Sequence, residues 1–594
     1  MAAPVPATRS TVTFHPARGY FRRGISRKNL RILGIAIIAL ALVAALLFPA
    51  QAATAVQLPW YALLSTLRMF LAFFLSLAFA ISYGSAAASS RRAGEILIPI
   101  LDILQSVPIL GFFPVVLLVF VDAFPSGSPF GKEFAIIFLI FTSMSWNMAF
   151  AVYETLTTLP HDLEDSAAVF GVKGWLRFRR LAFPATIPKL VYNSILSWTV
   201  GWFYLVASEA FQAAAGNVTT TYSEPGIGSY LYFAGQAGNL TAILLGLATL
   251  TIVVLILDVF MWRPLSAWAE RFKVELTAGG EVSRAPAPYE RLRWIPRLPR
   301  LRAAAATRLK TLVQSVERVG SPLERFYTEH PRVFRTIRRV DAAMFLVIFL
   351  LVVAVGAVNV VALFHAGPPA VANAIPNAVI HSLGRLALAY LVALAWTIPT
   401  AAWLVHNARA SKFLTPVIEV VASVPATALF PLIIAFAILA AGAFGLAAEL
   451  AAFLVSLFAM QWYILFNVIA GMKSIPGDLM EASKVFGLHG WAYWRRVLLP
   501  AVIPSLLTGS ITAWGAGWNA LIVAEYISYG NQTFTVTGVG ELISAATYAP
   551  PSPGASEQLA LAILALIVVV LVMNKLLWRP LIKRASHRFR MEIQ

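Results

Sequence analysis

Long apolar runs dominate this chain and restrict what it can fold into. They lie near 32–49, 58–83, 94–121, 134–158, 185–212 and 240–264, and again near 341–364, 376–403, 412–442, 446–473, 502–529 and 556–580. Each approaches or exceeds the roughly 20 residues a helix needs to cross a bilayer, and a helix satisfies its own backbone hydrogen bonds in lipid. The sequence therefore predicts an all-α integral membrane protein with twelve spans. Composition agrees, because 59% of the 594 residues are hydrophobic and only 12% are charged, which is not a soluble balance. Pro108, Pro114, Pro425 and Pro431 fall inside the two longest runs, which are expected to be kinked or tilted.

Charge sets the orientation. The formal +19 comes from 46 Lys and Arg against 27 Asp and Glu. Most of the basic residues flank or connect apolar runs, so topology explains them better than a nucleic-acid partner. Arg22, Arg23, Arg27, Lys28 and Arg31 precede the first run, Arg91 and Arg92 follow the second, and Lys173, Arg177, Arg179 and Arg180 follow the fourth. Those sides, and both termini, are predicted to be cytoplasmic. The opposite connections, 50–57, 122–133 and 213–239, carry Lys132 alone. Ala50-Gln51-Ala52 imitates a signal-peptide cleavage site. The run before it is longer than a usual signal core and its counterpart at 341–364 is internal, so the first span is expected to stay. With no cysteine, the chain has no disulfide framework, Cys-ligated metal or thiol nucleophile.

The runs repeat because the chain is a tandem duplication. Trp146 and Trp462, Pro160 and Pro476, Gly171 and Gly487, Arg179-Arg180 and Arg495-Arg496, Pro184 and Pro500, and Glu209 and Glu525 share one offset of 316. Six spans per half give both copies the same orientation, which predicts a pseudo-two-fold axis along the membrane normal and a solute pathway at the interface. The reading divides the chain into a basic tail 1–31, a first six-helix domain 32–264, a basic cytoplasmic linker 265–340, a second six-helix domain 341–582 and a tail 583–594. The linker, with Pro286, Pro288, Pro296 and Pro299 and an Ala/Arg/Leu stretch Leu301 to Val319, reads as a tether with one interfacial or solvent helix.

After the fourth span of each half stands a repeated polar segment, Pro160-His161-Asp162-Leu163-Glu164-Asp165-Ser166-Ala167-Ala168-Val169-Phe170-Gly171 and Pro476-Gly477-Asp478-Leu479-Met480-Glu481-Ala482-Ser483-Lys484-Val485-Phe486-Gly487. Proline and acids at its start and glycine at its end predict a short helix with an αL cap. Phe170 and Phe486 are expected to be buried and to anchor it to its own domain.

These residues carry a resemblance. The acid, two small residues and following glycine, Asp165-Ser166-Ala167 with Gly171 and Glu481-Ala482-Ser483 with Gly487, resemble the EAA-type loop of permease subunits of bacterial binding-protein-dependent ABC importers. Gly201-Trp202 to Glu209, Gly517-Trp518 to Glu525, and the later Gly226-Ile227-Gly228 and Gly538-Val539-Gly540 resemble the nitrate, sulfonate and taurine type, in a form that fuses two permeases. The resemblance implies a permease of the bacterial cytoplasmic membrane that carries a small anion such as nitrate, a sulfonate or bicarbonate. It implies two copies of a cytoplasmic ABC ATPase docked on the loops and a periplasmic or lipid-tethered solute-binding protein outside. ATP and Mg belong to the partner ATPase, with no cofactor, catalytic residue or metal in this chain. Gly127 to Lys132 is no phosphate loop, since its spacing is wrong and no Ser or Thr follows the lysine.

Ionisable residues inside spans are costly and call for an explanation. Arg68 and Arg385, behind Ser65 and Ser382, either offer positive charge to an anion pathway or neutralise a glutamate of their own half. Glu209 and Glu525 read as gate or ion-pair residues, since like charge repels an anion. Trp198 with Trp202, and Trp514 with Trp518, share a helix face that either lines a pathway or packs. The rival to an importer is a twelve-span gradient-driven carrier, although the loop from Ser82 to Arg92 lacks the Asp-Arg-x-Gly-Arg pattern of the major facilitators.

Overall fold

A computed structural model describes residues 56–272 and 370–588, apart from 107, 126–128, 173, 216–217, 443–445, 474, 476, 531 and 549–554. The spans expected at 32–49 and 341–364 and the linker lie outside the described residues.

The first half runs through α1 (Leu58–Ala88), α2 (Arg91–Ser106), α3 (Ile109–Asp122), α4 (Pro129–Thr157), the short α5 (His161–Val169), α6 (Gly174–Arg177) and α7 (Phe183–Ser208). A hairpin of β1 (Ala210–Ala215) and β2 (Val218–Ser223) follows, then α8 (Ile227–Gln236), α9 (Leu240–Leu257) and α10 (Arg263–Ala269). The second half repeats the order with α11 (Ile375–His406), α12 (Ala408–Ala422), α13 (Phe430–Ala441), α14 (Ala447–Lys473), α15 (Gly477–Val485), α16 (Gly490–Tyr493) and α17 (Leu499–Ala524). It ends with β3 (Tyr526–Tyr529), β4 (Gln532–Thr535), α18 (Val539–Tyr548), α19 (Ala555–Met573) and α20 (Arg579–Arg588).

Among the described residues eight helices are long and apolar enough to cross a membrane, four in each half, and α12 with α13 makes a ninth if that bent pair is one span. Of the four prolines expected to kink these runs, Pro108 and Pro425 stand at full breaks, whereas Pro114 and Pro431 lie within α3 and α13. α2 ends one residue before Val107-Pro108, and α12 and α13 meet at 80° around Pro425. An X-Pro step disfavours helix at the preceding residue, and the proline supplies no N–H to continue the ladder. In each half one helix is central, α4 between α1 and α7 and α14 between α11 and α17.

Proline also shapes the opposite ends of the long helices. Four five-residue π turns stand at Phe178–Ala182, Asp258–Trp262, Trp494–Leu498 and Asn574–Trp578, and each is followed two residues later by Pro184, Pro264, Pro500 or Pro580. The residue before each proline donates its N–H five residues back, as Phe183 does to Phe178 and Leu499 to Trp494. A proline four residues past a carbonyl has no N–H to donate to it, and the ladder shifts by one.

The two antiparallel hairpins depart from the all-α expectation. Apolar runs expected to continue to 212 and 529 stop at Ser208 and Ala524, and the chain turns into strands paired Ala210 with Ser223 and Tyr526 with Thr535 at their open ends. Since α7 and α17 begin beside the basic loops, the hairpins sit at the far end from them.

Candidate functional site

At the hairpin end each half buries one polar cluster. Arg68 of α1 makes a bidentate pair with Glu133 at the start of α4, Nε to Oε2 at 2.7 Å and Nη2 to Oε1 at 2.5 Å, while its Nη1 donates to Glu209 Oε1 at 2.7 Å. Ser65, one turn earlier, donates to the same Glu209 oxygen at 2.6 Å. The other Glu209 oxygen accepts the Gly228 N–H at 2.7 Å, so the start of α8 caps a carboxylate. Arg385 repeats this with Glu449 at 2.6 and 2.7 Å and Glu525 at 2.8 Å, with Ser382 and the Gly540 N–H completing Glu525. Gly226 and Gly538 are obligatory, because a Cβ there would lie 2.3 or 2.1 Å from the carboxylate carbon.

Both arginines thus neutralise glutamates of their own half. Each guanidinium faces two carboxylates, one buried and the other, Glu133 or Glu449, with a side chain 32% or 46% exposed. The geometry is that of a latch between helices α1, α4 and α7 and the hairpin. Sequence reading missed Glu133 and Glu449, although they share the 316 offset and occupy the N-terminal part of a helix, where acids are favoured.

Trp202 and Trp518 are buried in the helix packing. The Trp198 ring lies 5.0 Å from Phe70, tilted, and meets Trp262 edge to face at 5.5 Å. Gly201 and Gly517 let the long helix approach its central neighbour, since a Cβ at Gly201 would fall 2.1 Å from Met144 and one at Gly517 2.8 Å from Met460. These positions make helix packing, as small residues do in membranes.

At the basic end α5 and α15 are the short helices expected. Each ends in a Schellman motif: Val172 N–H bonds to Ala167 and Gly171 N–H to Ala168, while Leu488 bonds to Ser483 and Gly487 to Lys484. Gly171 and Gly487 hold φ of 71° and 65° with open space around them, so the backbone conformation, not crowding, calls for glycine. Asp165, Ser166 and Glu481 are exposed, Ala167 and Ala482 half-buried and Ser483 buried. The expected burial of Phe170 and Phe486 is wrong, because they are 82% and 79% exposed beside equally exposed Val169 and Val485. The cap folds the chain back over Ala167 and Ser483, which turns the residue before the glycine outward.

A cavity of about 140 Å³ lies between the halves. It is lined by the last turns of α7 and α17, by α8 and α18, and by residues around the breaks before α3 and α13. Leu110 N–H donates to Asn519 of the other half at 3.3 Å, Thr427 to the Phe203 carbonyl at 2.9 Å, and Gly530 N–H to the Gly235 carbonyl at 3.0 Å. None of Arg68, Arg385, Trp202, Trp518, Glu209 and Glu525 is among its lining residues. Among the described residues no group of three or more His, Asp or Glu could hold a metal ion.

Comparison with known proteins returns the same two units. The family described as "binding-protein-dependent transport system inner membrane component" matches residues 75–262 and again 393–582. A nitrate import permease protein, NrtB of Leptolyngbya laminosa, is 30% identical over 195 residues, 33% of this chain and 63% of that protein. The bicarbonate transport system permease protein CmpB of Synechocystis is 30% identical over 162 residues, 27% and 53% of the two chains. The taurine transport system permease protein TauC of Escherichia coli is 28% identical over 164 residues, 27% and 57%. The chain therefore matches somewhat under two thirds of the length of these relatives.

Proposed function

The chain belongs to the family of binding-protein-dependent transport system inner membrane components, and from that premise we propose that it is the fused permease of an ATP-driven importer of a small oxyanion. Twelve helices in two parallel six-helix domains, 32–264 and 341–582, would surround a pathway on a pseudo-two-fold axis, with both termini and the linker 265–340 in the cytoplasm. Two cytoplasmic ABC ATPases dock on α5 and α15, and a periplasmic or lipid-tethered binding protein delivers solute at the hairpin end. ATP and Mg act in the ATPases. The substrate class rests on relatives named for nitrate, bicarbonate and taurine.

One observation carries the docking assignment. Phe170 and Phe486, at corresponding places on two rigid, glycine-capped helices, stand almost fully exposed. Large apolar side chains rimmed by charge mark a protein interface, and Asp165 and Glu481 provide that rim. When the ATPases close, the two helices move with them and the long helices that follow, α7 and α17, change the access of the cavity.

Affinity purification of the full chain from its native membrane, with mass spectrometry and ATPase assay, tests this. An ABC ATPase should co-purify and be lost on charge reversal of Asp165 and Glu481. Gly171→Val with Gly487→Val should leave insertion intact and uncouple hydrolysis from uptake. An ATPase-free polypeptide whose transport follows an ion gradient would replace the importer with a gradient-driven carrier.

A further inference from the structure

The cavity between the halves has two unlike walls. From the first half come Leu110, Phe113, Val206, Ala207, Ala210 and Leu231, with Tyr232 its single hydroxyl. The second half contributes five hydroxyls, those of Thr427, Tyr526, Ser528, Ser544 and Thr547. Corresponding positions account for part of the contrast: Ala210 corresponds to Tyr526, Gln212 to Ser528 and Gly235 to Thr547, while Ser544 corresponds to Tyr232. Among the described residues no Asp, Glu, Lys or Arg lines the cavity.

The hydroxyls are not equally committed. Thr427 donates to the Phe203 carbonyl and Thr547 to the Ile543 carbonyl, so both are spent on backbone. Ser528 and Ser544 line the cavity, and neither hydroxyl makes a hydrogen bond among the described residues. Both residues are half-buried, and two uncommitted hydroxyls beside a cavity can donate to a ligand.

We propose that this cavity is a solute site for a short alkyl chain bearing an oxyanion head, such as a small sulfonate or carboxylate, with Ser528 and Ser544 donating to the head and the Val206, Ala207 and Leu231 wall holding the chain. The proposal deepens the importer reading and rests on it for the solute's negative charge. Neutral donors suit a pathway, because a fixed cation would hold an anion too strongly for release, and conduction needs binding weak enough to leave. A pore between two identical subunits would give the head no preferred side; divergence of the fused halves does.

The absence of cysteine makes the test clean. Single variants Ser544→Cys on the polar wall and Ala207→Cys on the apolar wall, in the full chain purified with whatever partners accompany it, are modified with a methanethiosulfonate reagent at rest and during ATP turnover. 1-Butanesulfonate should slow modification at both sites by about tenfold. Methanesulfonate should slow it at Ser544→Cys only, and butyltrimethylammonium at neither. Ser528→Ala in the Ser544→Cys background should weaken protection by about fivefold to tenfold, and Ser528→Thr should restore it. Equal protection by anion and cation, protection at neither site, or cysteines that never react would each overturn the proposal. The outcomes separate from those of the importer: protection without a co-purifying ATPase removes the ATPase reading and leaves the site, whereas a coupled ATPase with no protection removes the site alone.

Discussion

The two halves are tied together differently at corresponding positions, and the difference sorts their ion pairs into two kinds. In the first half Lys132 pairs with Glu224, Arg177 with Glu164, Lys189 with Glu154 and Arg263 with Asp258. The second half has Ala448 and Val536, Tyr493 and Met480, Ser505 and Ala470, and Arg579 and Asn574 at these places. Tyr493 and Met480 still touch, hydroxyl to sulfur at 3.6 Å, so a neutral contact ties α15 where a charged one ties α5. Among the ion pairs of the described residues, the buried latch keeps its full set of charges in both copies, Arg68 with Glu133 and Glu209 and Arg385 with Glu449 and Glu525. Exposed pairs add little to stability, so losing those of Arg177, Lys189 and Arg263 costs little; the Lys132–Glu224 pair is more covered, with side chains 31% and 10% exposed. Removing one partner of a buried pair leaves a charge that water cannot reach.

The strongest way to break this comparison is to remove the buried cation. Arg68→Met should destabilise the protein by about 3–5 kcal/mol, because it leaves Glu209 buried without a counter-charge. Arg385→Met should cost nearly as much, less by about 1 kcal/mol for the bond that Arg68 alone makes to the Pro225 carbonyl, seen at 2.9 Å. Adding Glu209→Gln to Arg68→Met should recover part of the loss. Unfolding midpoints in detergent, followed by tryptophan fluorescence and monodispersity, report each value. A mild effect in either half would mean that its latch is solvated and that the two clusters are not equivalent.

A smaller effect tests the cradle that receives the glutamate. Gly226→Ala and Gly538→Ala push a methyl into the carboxylate of Glu209 or Glu525, an overpacking that should cost about 1–3 kcal/mol in each half. Because Gly226 has extended backbone, φ −177°, the loss comes from crowding alone. Glu209→Ala should therefore relieve Gly226→Ala, and a double-mutant cycle by thermal unfolding reads that coupling. Additive losses would show that the hairpin, and not the carboxylate, is what alanine disturbs.

How much of this was legible in the sequence depends on whether a residue's role is periodic, paired or purely spatial. The spans described here were legible because apolar length is a local property, and Arg68, Arg385, Glu209 and Glu525 were legible because a charge within an apolar run announces itself. Their pairing within one half was one of two readings left open, and geometry chose it. Glu133 and Glu449 escaped because an acid at the head of a helix reads as a span boundary. The hairpins had a signal, Gly216-Asn217 and Gly530-Asn531 flanked by Val, Thr and Tyr, but it adjoined apolar runs that a membrane window extends too far. Phe170 and Phe486 read as inward anchors of the short helices, on the general rule that large apolar side chains bury. That rule has no access to the direction in which a Schellman cap turns the residue before it.

The smallest expected effect sharpens the comparison most, because it concerns a pair that only one half has. Lys132 reaches Glu224 at 3.0 Å across the base of the first hairpin, with side chains 31% and 10% exposed. A partly covered pair of this kind is worth about 0.5–1 kcal/mol, so Lys132→Ala should lower the unfolding midpoint slightly and leave the latch intact. Its own contribution is salt-dependent, and the difference between wild type and variant should shrink as ionic strength rises. Transplanting the pair with Ala448→Lys and Val536→Glu is the converse experiment. Val536 is buried and its N–H is bonded to the Glu525 carbonyl, so the new carboxylate would start from an apolar site close to a glutamate. The transplant should therefore destabilise the second half where the original stabilises the first. Equal stabilisation in both halves would show that the second hairpin lost its ion pair by chance; the opposite sign would show that an apolar contact has taken over its role.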